Sequence, residues 1–201
     1  MKVSEAVKIT GSMTRTSKMP GLSYRLPAWE CQVGAKLRTV KGSVCSGCYA
    51  LKGNYTRYPA IKAAQYYRLQ SLYNPQWIPA MVAQIKRQKY FRWHAAGDLQ
   101  SVQHLKNIFE VCNRTPGTKH WLPTREVRYT RLMDPAIVPT NLKIIISDHM
   151  IDQKTPVKSW PFTSGVSTKS ATCPAPSQGG KCGSCRQCWD RNVARVVYGK
   201  H

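Results

Sequence analysis

Hydrophobic and polar residues follow helical spacing in two adjacent segments near the centre of the chain. Residues 59–72 are rich in alanine and carry a proline at the start, a combination that predicts a helix. A second helix is expected over residues 74–88, where Trp77, Met81 and Ile85 fall on one face. The sequence therefore predicts a pair of consecutive helices here.

Short apolar segments follow these helices and are predicted to be strands. Residues 90–94 and 119–124 are short and partly aromatic, and residues 142–147 are continuously apolar at their centre. A third helix is expected at about 101–112, and one more strand at 164–168. Strands that alternate with helices favour parallel pairing through right-handed crossovers. The predicted fold is α/β, with a partial (β/α) barrel-like parallel sheet.

The two ends of the chain differ from this centre. Residues 1–55 are rich in Gly, Pro, Ser and Thr and are expected to form an irregular, cysteine-containing N-terminal segment. Residues 169–201 form a Cys-rich C-terminal segment, also predicted to be irregular. With a β/α core over residues 56–168, we expect one domain spanning 1–201.

The charge of the chain is strongly one-sided. There are 31 Lys and Arg residues against 9 Asp and Glu residues, which gives a net charge of +22. Such an excess attracts polyanions, so nucleic acid or an acidic partner protein is expected at the basic surface. A generally solvated basic surface without a partner is an alternative interpretation.

Cysteine is the residue type that points most directly to chemistry. The sequence shows no apolar stretch long enough for a signal peptide or a membrane span, so we expect a cytoplasmic protein without membrane association. Disulfides rarely persist in that compartment, so the eight cysteines need another explanation. Metal binding is the usual one.

Four of these cysteines lie within sixteen residues near the C-terminus. Cys173, Cys182, Cys185 and Cys188 have the spacing C-x8-C-x2-C-x2-C, with Gly and Pro between them. Such a segment can wrap around one metal centre. Two consecutive C-x2-C steps are more typical of iron–sulfur ligation, whereas zinc sites usually separate their C-x2-C pairs by a longer stretch. We therefore expect one or two 4Fe–4S clusters, with zinc as the alternative.

A second group contains only three cysteines. Cys31 is followed by Cys45 and Cys48, so one coordination position would be open or filled from elsewhere. These three could form a second site or contribute to the same centre as the C-terminal group. Cys112 is different, because it lies on the apolar stripe of the third predicted helix and is expected to pack in the core.

Polar residues at the predicted carboxyl ends of the strands are candidates for binding a cofactor. In open α/β sheets and barrels, ligands lie beyond these ends. His94, Asp98 and Arg125 occupy such positions. Helix N-termini and turns also favour acidic residues, so Asp98 has a purely structural alternative.

Several motifs together resemble a known family. They are Leu26–Cys31, Cys45–Gly53, Ala64-Gln65, Phe91–His94 with Gly97-Asp98, Leu122–Arg125, Cys173-Pro174 and Gly180–Trp189. Over residues from about 20 to the end, the chain resembles the phage gene-product-88 family. The resemblance implies a phage-encoded protein in the host cell cytoplasm, similar to radical-SAM-type α/β barrels with iron–sulfur clusters. The thirteen residues between Cys31 and Cys45 depart from the compact cysteine loop of those enzymes.

Three functional hypotheses follow. The first is an iron–sulfur protein in redox chemistry or electron transfer, with an unknown redox partner. The second is a zinc-stabilised nucleic-acid-binding protein, and the third is a radical-SAM-like enzyme. The sequence leaves open whether the chain is an enzyme.

Overall fold

A computed structural model describes residues 1–154 and 160–200. Within them, seven strands form one open sheet in the order β1 to β7. The strands are β1 (Thr14–Arg15), β2 (Leu22–Ser23), β3 (Tyr90–Arg92), β4 (Lys119–Thr124), β5 (Leu142–Ser147), β6 (Thr163–Ser167) and β7 (Arg195–Gly199). Only β1 and β2 pair antiparallel in this sheet, and all other neighbours are parallel. The predicted α/β class with a partial, barrel-like parallel sheet is confirmed.

Helices connect the strands and precede the sheet. They are α1 (Val3–Thr10), α2 (Gln32–Leu37), α3 (Asn54–Arg57), α4 (Pro59–Ser71), α5 (Trp77–Ile85), α6 (Val102–Asn113) and α7 (Val127–Thr130). Proline occupies the first position of α4, where its missing N–H has no intrahelical partner to lose. The Ser101 hydroxyl caps α6 by accepting a 3.0 Å hydrogen bond from the backbone N–H of His104.

The two faces of the sheet are covered by different parts of the chain. On one face, Phe91, Trp93 and Leu122 pack with Trp77 of α5 and Leu105 of α6 in the main hydrophobic core. On the other face, Trp121 of β4 and Ile145 of β5 pack against Trp189 of the C-terminal segment. The alternation of side chains along β4 and β5 thus fixes which face receives the helices and which receives the Cys-rich segment.

The central elements agree with the sequence predictions. β4 and β5 occupy the predicted residues, and α4 begins at the predicted proline. Every residue of β5 is buried, as its continuous apolar centre indicated. Cys112 is fully buried among the core residues, which confirms its expected packing role.

The ends of the chain contain more regular structure than predicted. Residues 1–30 include α1, β1 and β2, and the C-terminal segment contributes β7 to the sheet. Strands of two residues are too short to show an alternating pattern. α1 joins the fold through a small contact, with Ala6 packed against Ala80 and Ala83 of α5. No helix in the described residues has the length and apolarity needed to cross a bilayer.

Candidate metal centres

The C-terminal cysteine segment is held on the sheet by contacts from several strands. Backbone N–H groups of Cys173 and Cys182 donate to the carbonyls of Val197 and Lys18, at 3.0 and 2.7 Å. The indole N–H of Trp189 donates to the carbonyl of Phe91 at 2.9 Å. This segment has little regular structure of its own, so these contacts fix its position.

Lys143 provides a further attachment from near the start of β5. Its side chain is almost fully buried, and its ammonium donates to three carbonyls of the C-terminal segment. These are the carbonyls of Gln187 (2.8 Å), Asp190 (2.6 Å) and Val193 (2.7 Å). Burial lowers the pKa of Lys143, while the three carbonyls provide partners for all three protons of its ammonium.

The four C-terminal thiols lie close enough to influence one another. Burial raises the pKa of Cys182, and the neighbouring Cys173 and Cys185 raise it further. Burial also raises the pKa of Cys188 to about 11, with Cys173 and Cys182 adding to the increase. A hydrogen bond of 3.2 Å with the Tyr198 hydroxyl acts in the opposite direction on Cys188. The structure thus brings all four predicted C-terminal ligands into one region.

The N-terminal cysteines also come together, at the carboxyl ends of the strands. Cys31 immediately precedes α2, and Cys45 begins a short 3-10 turn that ends before Cys48. Burial raises the pKa of Cys31, with additional contributions from Asp98, Cys48 and Cys45. Burial raises the pKa of Cys45 as well, and it is opposed by the positive charge of Arg125.

A glycine keeps the space between two of these sulfurs free. A Cβ atom on Gly34 would lie 3.7 Å from the sulfur of Cys31 and 3.7 Å from that of Cys45. It would also lie only 2.9 Å from the Cβ of Cys31, a distance that requires something to shift. Glycine costs a helix about 0.5–1 kcal/mol relative to alanine, so its presence inside α2 is explained by this crowding.

The described side chains do not form a ready-made site for one metal ion. Within residues 1–154 and 160–200, no group of three or more His, Cys, Asp or Glu side chains is arranged to hold one. A tetrahedral zinc site with Zn–S distances of about 2.3 Å needs its sulfurs only about 3.8 Å apart. A cluster of several irons is wider and accepts more widely spaced thiolates.

Two of the three predicted cofactor-binding residues lie next to the N-terminal cysteines. The Asp98 carboxylate accepts hydrogen bonds from the Thr124 hydroxyl (2.5 Å) and from the backbone N–H groups of Leu99 and Arg125 (both 2.8 Å). Burial raises the pKa of Asp98 to about 6 despite these bonds. The Arg125 side chain donates to the carbonyl of Asp148 at 3.1 Å. Asp98 and Arg125 thus form a hydrogen-bonded rim beside Cys31 and Cys45.

His94 occupies a different position. Its backbone has a φ of 50°, and its buried ring lies edge-on to His104 of α6 at 5.2 Å. Burial, His104 and Arg92 hold the pKa of His94 well below its usual range. Neither ring nitrogen has a hydrogen-bond partner in the described part of the chain. The structure therefore places His94 against α6 and does not group it with the cysteines.

Arg92 lies between the two cysteine groups, a position that the sequence analysis missed. Burial acts to lower the pKa of Arg92, but its neighbours Tyr49, Tyr198 and Cys188 raise it above the usual value. Tyr49 follows Cys48 in the chain. The Arg92 guanidinium lies 4.3 Å from the ring centroid of Trp121. In the sequence, the sign of this role was an arginine at the carboxyl end of an aromatic strand.

Glu126, beside Arg125 after the carboxyl end of β4, is an acidic residue that the sequence places at a strand end, with a helix N-terminus as the structural alternative. Its buried carboxylate accepts hydrogen bonds from the backbone N–H groups of Gln32 (3.1 Å) and Val33 (2.8 Å). These two N–H groups are the first of α2, and the side chain of Cys31, which precedes the helix, does not accept a hydrogen bond from them. Glu126 therefore fixes the helix that begins directly after Cys31.

Comparison with known proteins places the chain in a family. A family model described as gene product 88 matches residues 2–191. No curated protein and no solved structure matches the chain.

Proposed function

The chain belongs to the gene product 88 family, and we propose that this phage-family protein binds iron–sulfur clusters through its cysteines and acts in electron transfer or a related redox reaction. A 4Fe–4S cluster would be held by Cys173, Cys182, Cys185 and Cys188. A second cluster would be held by Cys31, Cys45 and Cys48, which leaves one iron without a protein thiolate.

The observation that carries the proposal is the convergence of the four C-terminal thiols. Mutual electrostatic effects connect Cys182 with Cys173 and Cys185, and Cys188 with Cys173 and Cys182. The segment that carries them is attached to the sheet through Lys143 and Trp189, so the four thiols are presented together by a supported backbone. Such preorganisation suits a site that must hold a preformed cofactor.

The surroundings of the C-terminal thiols suit a cluster that carries negative charge. Arg92 supplies a nearby positive charge, and the hydroxyl of Tyr198 lies at hydrogen-bond distance from the sulfur of Cys188. Hydrogen bonds to sulfur and nearby charge are the features by which a protein sets the potential of a cluster. When bound, the cluster would supply one-electron chemistry, and these side chains would favour its reduced, more negative form.

The Gly34 space supports the second centre. A Cβ atom at this position would touch the sulfurs of both Cys31 and Cys45, at 3.7 Å each, so glycine leaves the space beside them unoccupied. Asp98 and Arg125 then border this volume from the carboxyl ends of β3 and β4. We propose that these two residues orient whatever occupies the free position of the second centre.

Metal and sulfide analysis of the protein purified without oxygen tests the proposal. We expect iron and acid-labile sulfide, visible thiolate-to-iron absorbance and a paramagnetic signal after reduction. Cys185→Ser should lose the iron of the C-terminal centre, whereas Cys112→Ala, which alters a cysteine in the core, should keep it. Colourless protein that contains zinc and no iron would overturn the proposal.

A further inference from the structure

An open groove lies on the surface beside Cys48. It encloses about 470 Å³ and is lined by Gly47, Tyr49, Lys52, Gly53, Asn54 and Tyr55. A Cβ atom added at either glycine would meet no other atom within 4 Å, so both glycines border open space. We refer to this feature as the Tyr49 groove.

Two tyrosines give the groove aromatic walls. The ring of Tyr49 is 57% exposed, yet its hydroxyl is anchored by a 2.6 Å hydrogen bond to the carbonyl of Ala95. Tyr55 packs edge-on against it, with the ring centroids 5.7 Å apart, and Arg25 lies 5.0 Å from the centroid of Tyr55. An exposed ring that is already fixed loses little conformational freedom when another ring stacks on it.

The chain around the groove contains no acidic residue. Between residues 31 and 97 there is no Asp or Glu, and there are 11 Lys and Arg residues. All nine acidic residues of the protein lie outside this stretch. Lys52, Arg57 and Lys62 are exposed near the groove, so their positive charge is not offset by neighbours in sequence.

We propose that the Tyr49 groove binds single-stranded nucleic acid. Exposed, fixed aromatic rings stack on unpaired bases, and surrounding lysines and arginines track the phosphates. Duplex DNA offers phosphates but keeps its bases stacked on each other, so it cannot use the rings. The exposed ring of Tyr49 beside the partly buried Tyr55 offers a stacking face to an unpaired base. An acidic protein could use the same positive charge, and competition with polyglutamate tests that alternative. The proposal does not depend on the cysteines holding iron.

Fluorescence anisotropy with the full chain tests this proposal. The probes are a labelled oligo(dT), a labelled oligo(rU) and a duplex of equal length, and the two single strands separate DNA from RNA as the natural ligand. We expect binding of at least one single strand that weakens with salt and exceeds binding of the duplex. Tyr49→Ala should lower that affinity about tenfold, because loss of one stacking ring typically has an effect of this size. Lys52→Gln should reduce the magnitude of the salt slope by about 0.7.

Matched variants separate the groove from the general charge of the protein. Tyr73→Ala removes a tyrosine that is 86% exposed beyond the far end of α4, and Lys119→Gln removes an exposed lysine at the amino end of β4. Both should bind as the wild type does. Tyr49→Phe keeps the ring but loses the hydrogen bond to Ala95 that fixes it, so its affinity should lie between those of the wild type and Tyr49→Ala. Because Tyr49 follows Cys48, the visible absorbance of each variant is recorded, so that a loss of metal is not mistaken for a loss of stacking.

Several results would overturn the proposal. One is the absence of single-strand binding even at low salt. Another is equal loss of binding in Tyr49→Ala and the two control variants, which would assign binding to overall charge. Equal affinity for the duplex and the single strands would also overturn it. So would a competition experiment in which polyglutamate displaces the probe as effectively as unlabelled oligonucleotide does, because that result would assign the groove to an acidic protein.

Discussion

The two cysteine segments are attached to the same sheet by groups of opposite charge. The ammonium of Lys143 holds the C-terminal segment by donating to backbone carbonyls. The carboxylate of Glu126 holds the N-terminal segment by accepting from backbone N–H groups. Both anchoring side chains are buried. The ammonium supplies donors where the C-terminal segment presents carbonyls. The carboxylate supplies an acceptor where the N-terminal segment presents N–H groups.

This difference follows from the local conformation of each segment. Residues near Cys188 form successive turns. The carbonyls of Gln187 and Asp190 accept N–H groups within these turns, at 3.3 and 3.2 Å, and still accept the Lys143 ammonium, as does the carbonyl of Val193. Residues after Cys31 start α2, whose first N–H groups need acceptors. A cysteine-containing stretch with little regular structure of its own can thus be positioned accurately by one buried charge of the correct sign.

Replacement of Lys143 is expected to have the largest effect. Lys143→Met keeps the volume and apolar stem but leaves the three carbonyls without their donor, at a cost of about 3 kcal/mol in the free energy of unfolding. The C-terminal segment should detach from β5 before the sheet unfolds. Hydrogen exchange should show loss of protection at Cys185 and Trp189, and bound iron should fall.

Lys106→Met is the control for this change, because Lys106 is exposed on α6. It should alter the free energy of unfolding by less than about 0.5 kcal/mol. If Lys143→Met retained the stability and the iron content of the control, the proposed role of the three carbonyl contacts would be wrong.

Replacement of Glu126 is expected to act on the other segment with a smaller effect. Glu126→Ala removes the acceptor of two N–H groups, and we expect a loss of about 2 kcal/mol. Exchange should accelerate at Gln32 and Val33 and leave Cys185 and Trp189 protected. Glu110→Ala, at an exposed position of α6, is the control. Equal deprotection of both segments would show that they are coupled and would remove the contrast between them.

The sequence predicted the centre of the fold better than the anchors. β5 was located because continuous apolar residues have few alternatives to burial, β4 was located as a short, partly aromatic segment, and the cysteines were selected by their spacing alone. Lys143 contacts residues 44 to 50 positions away, and Glu126 contacts residues 93 and 94 positions away. No local pattern reports such contacts. The lysine inside an otherwise apolar strand was the only available sign that β5 supports something on its other face.

The smallest effect on stability is expected from Gly34→Ala, although it addresses the chemistry of the N-terminal segment most directly. Alanine favours a helix by up to about 1 kcal/mol, and this gain offsets part of the crowding at the Cβ of Cys31. We therefore expect a free energy of unfolding within about 1 kcal/mol of the wild type. The added methyl group would stand between the sulfurs of Cys31 and Cys45, so iron bound by the N-terminal centre should fall while the C-terminal centre keeps its iron.

Ala35→Gly, one position further along α2 at an exposed site, is the matched control and should change stability without reducing iron. Retention of all iron by Gly34→Ala would show that the space between the two sulfurs holds no cofactor, and would leave the C-terminal segment as the sole candidate centre.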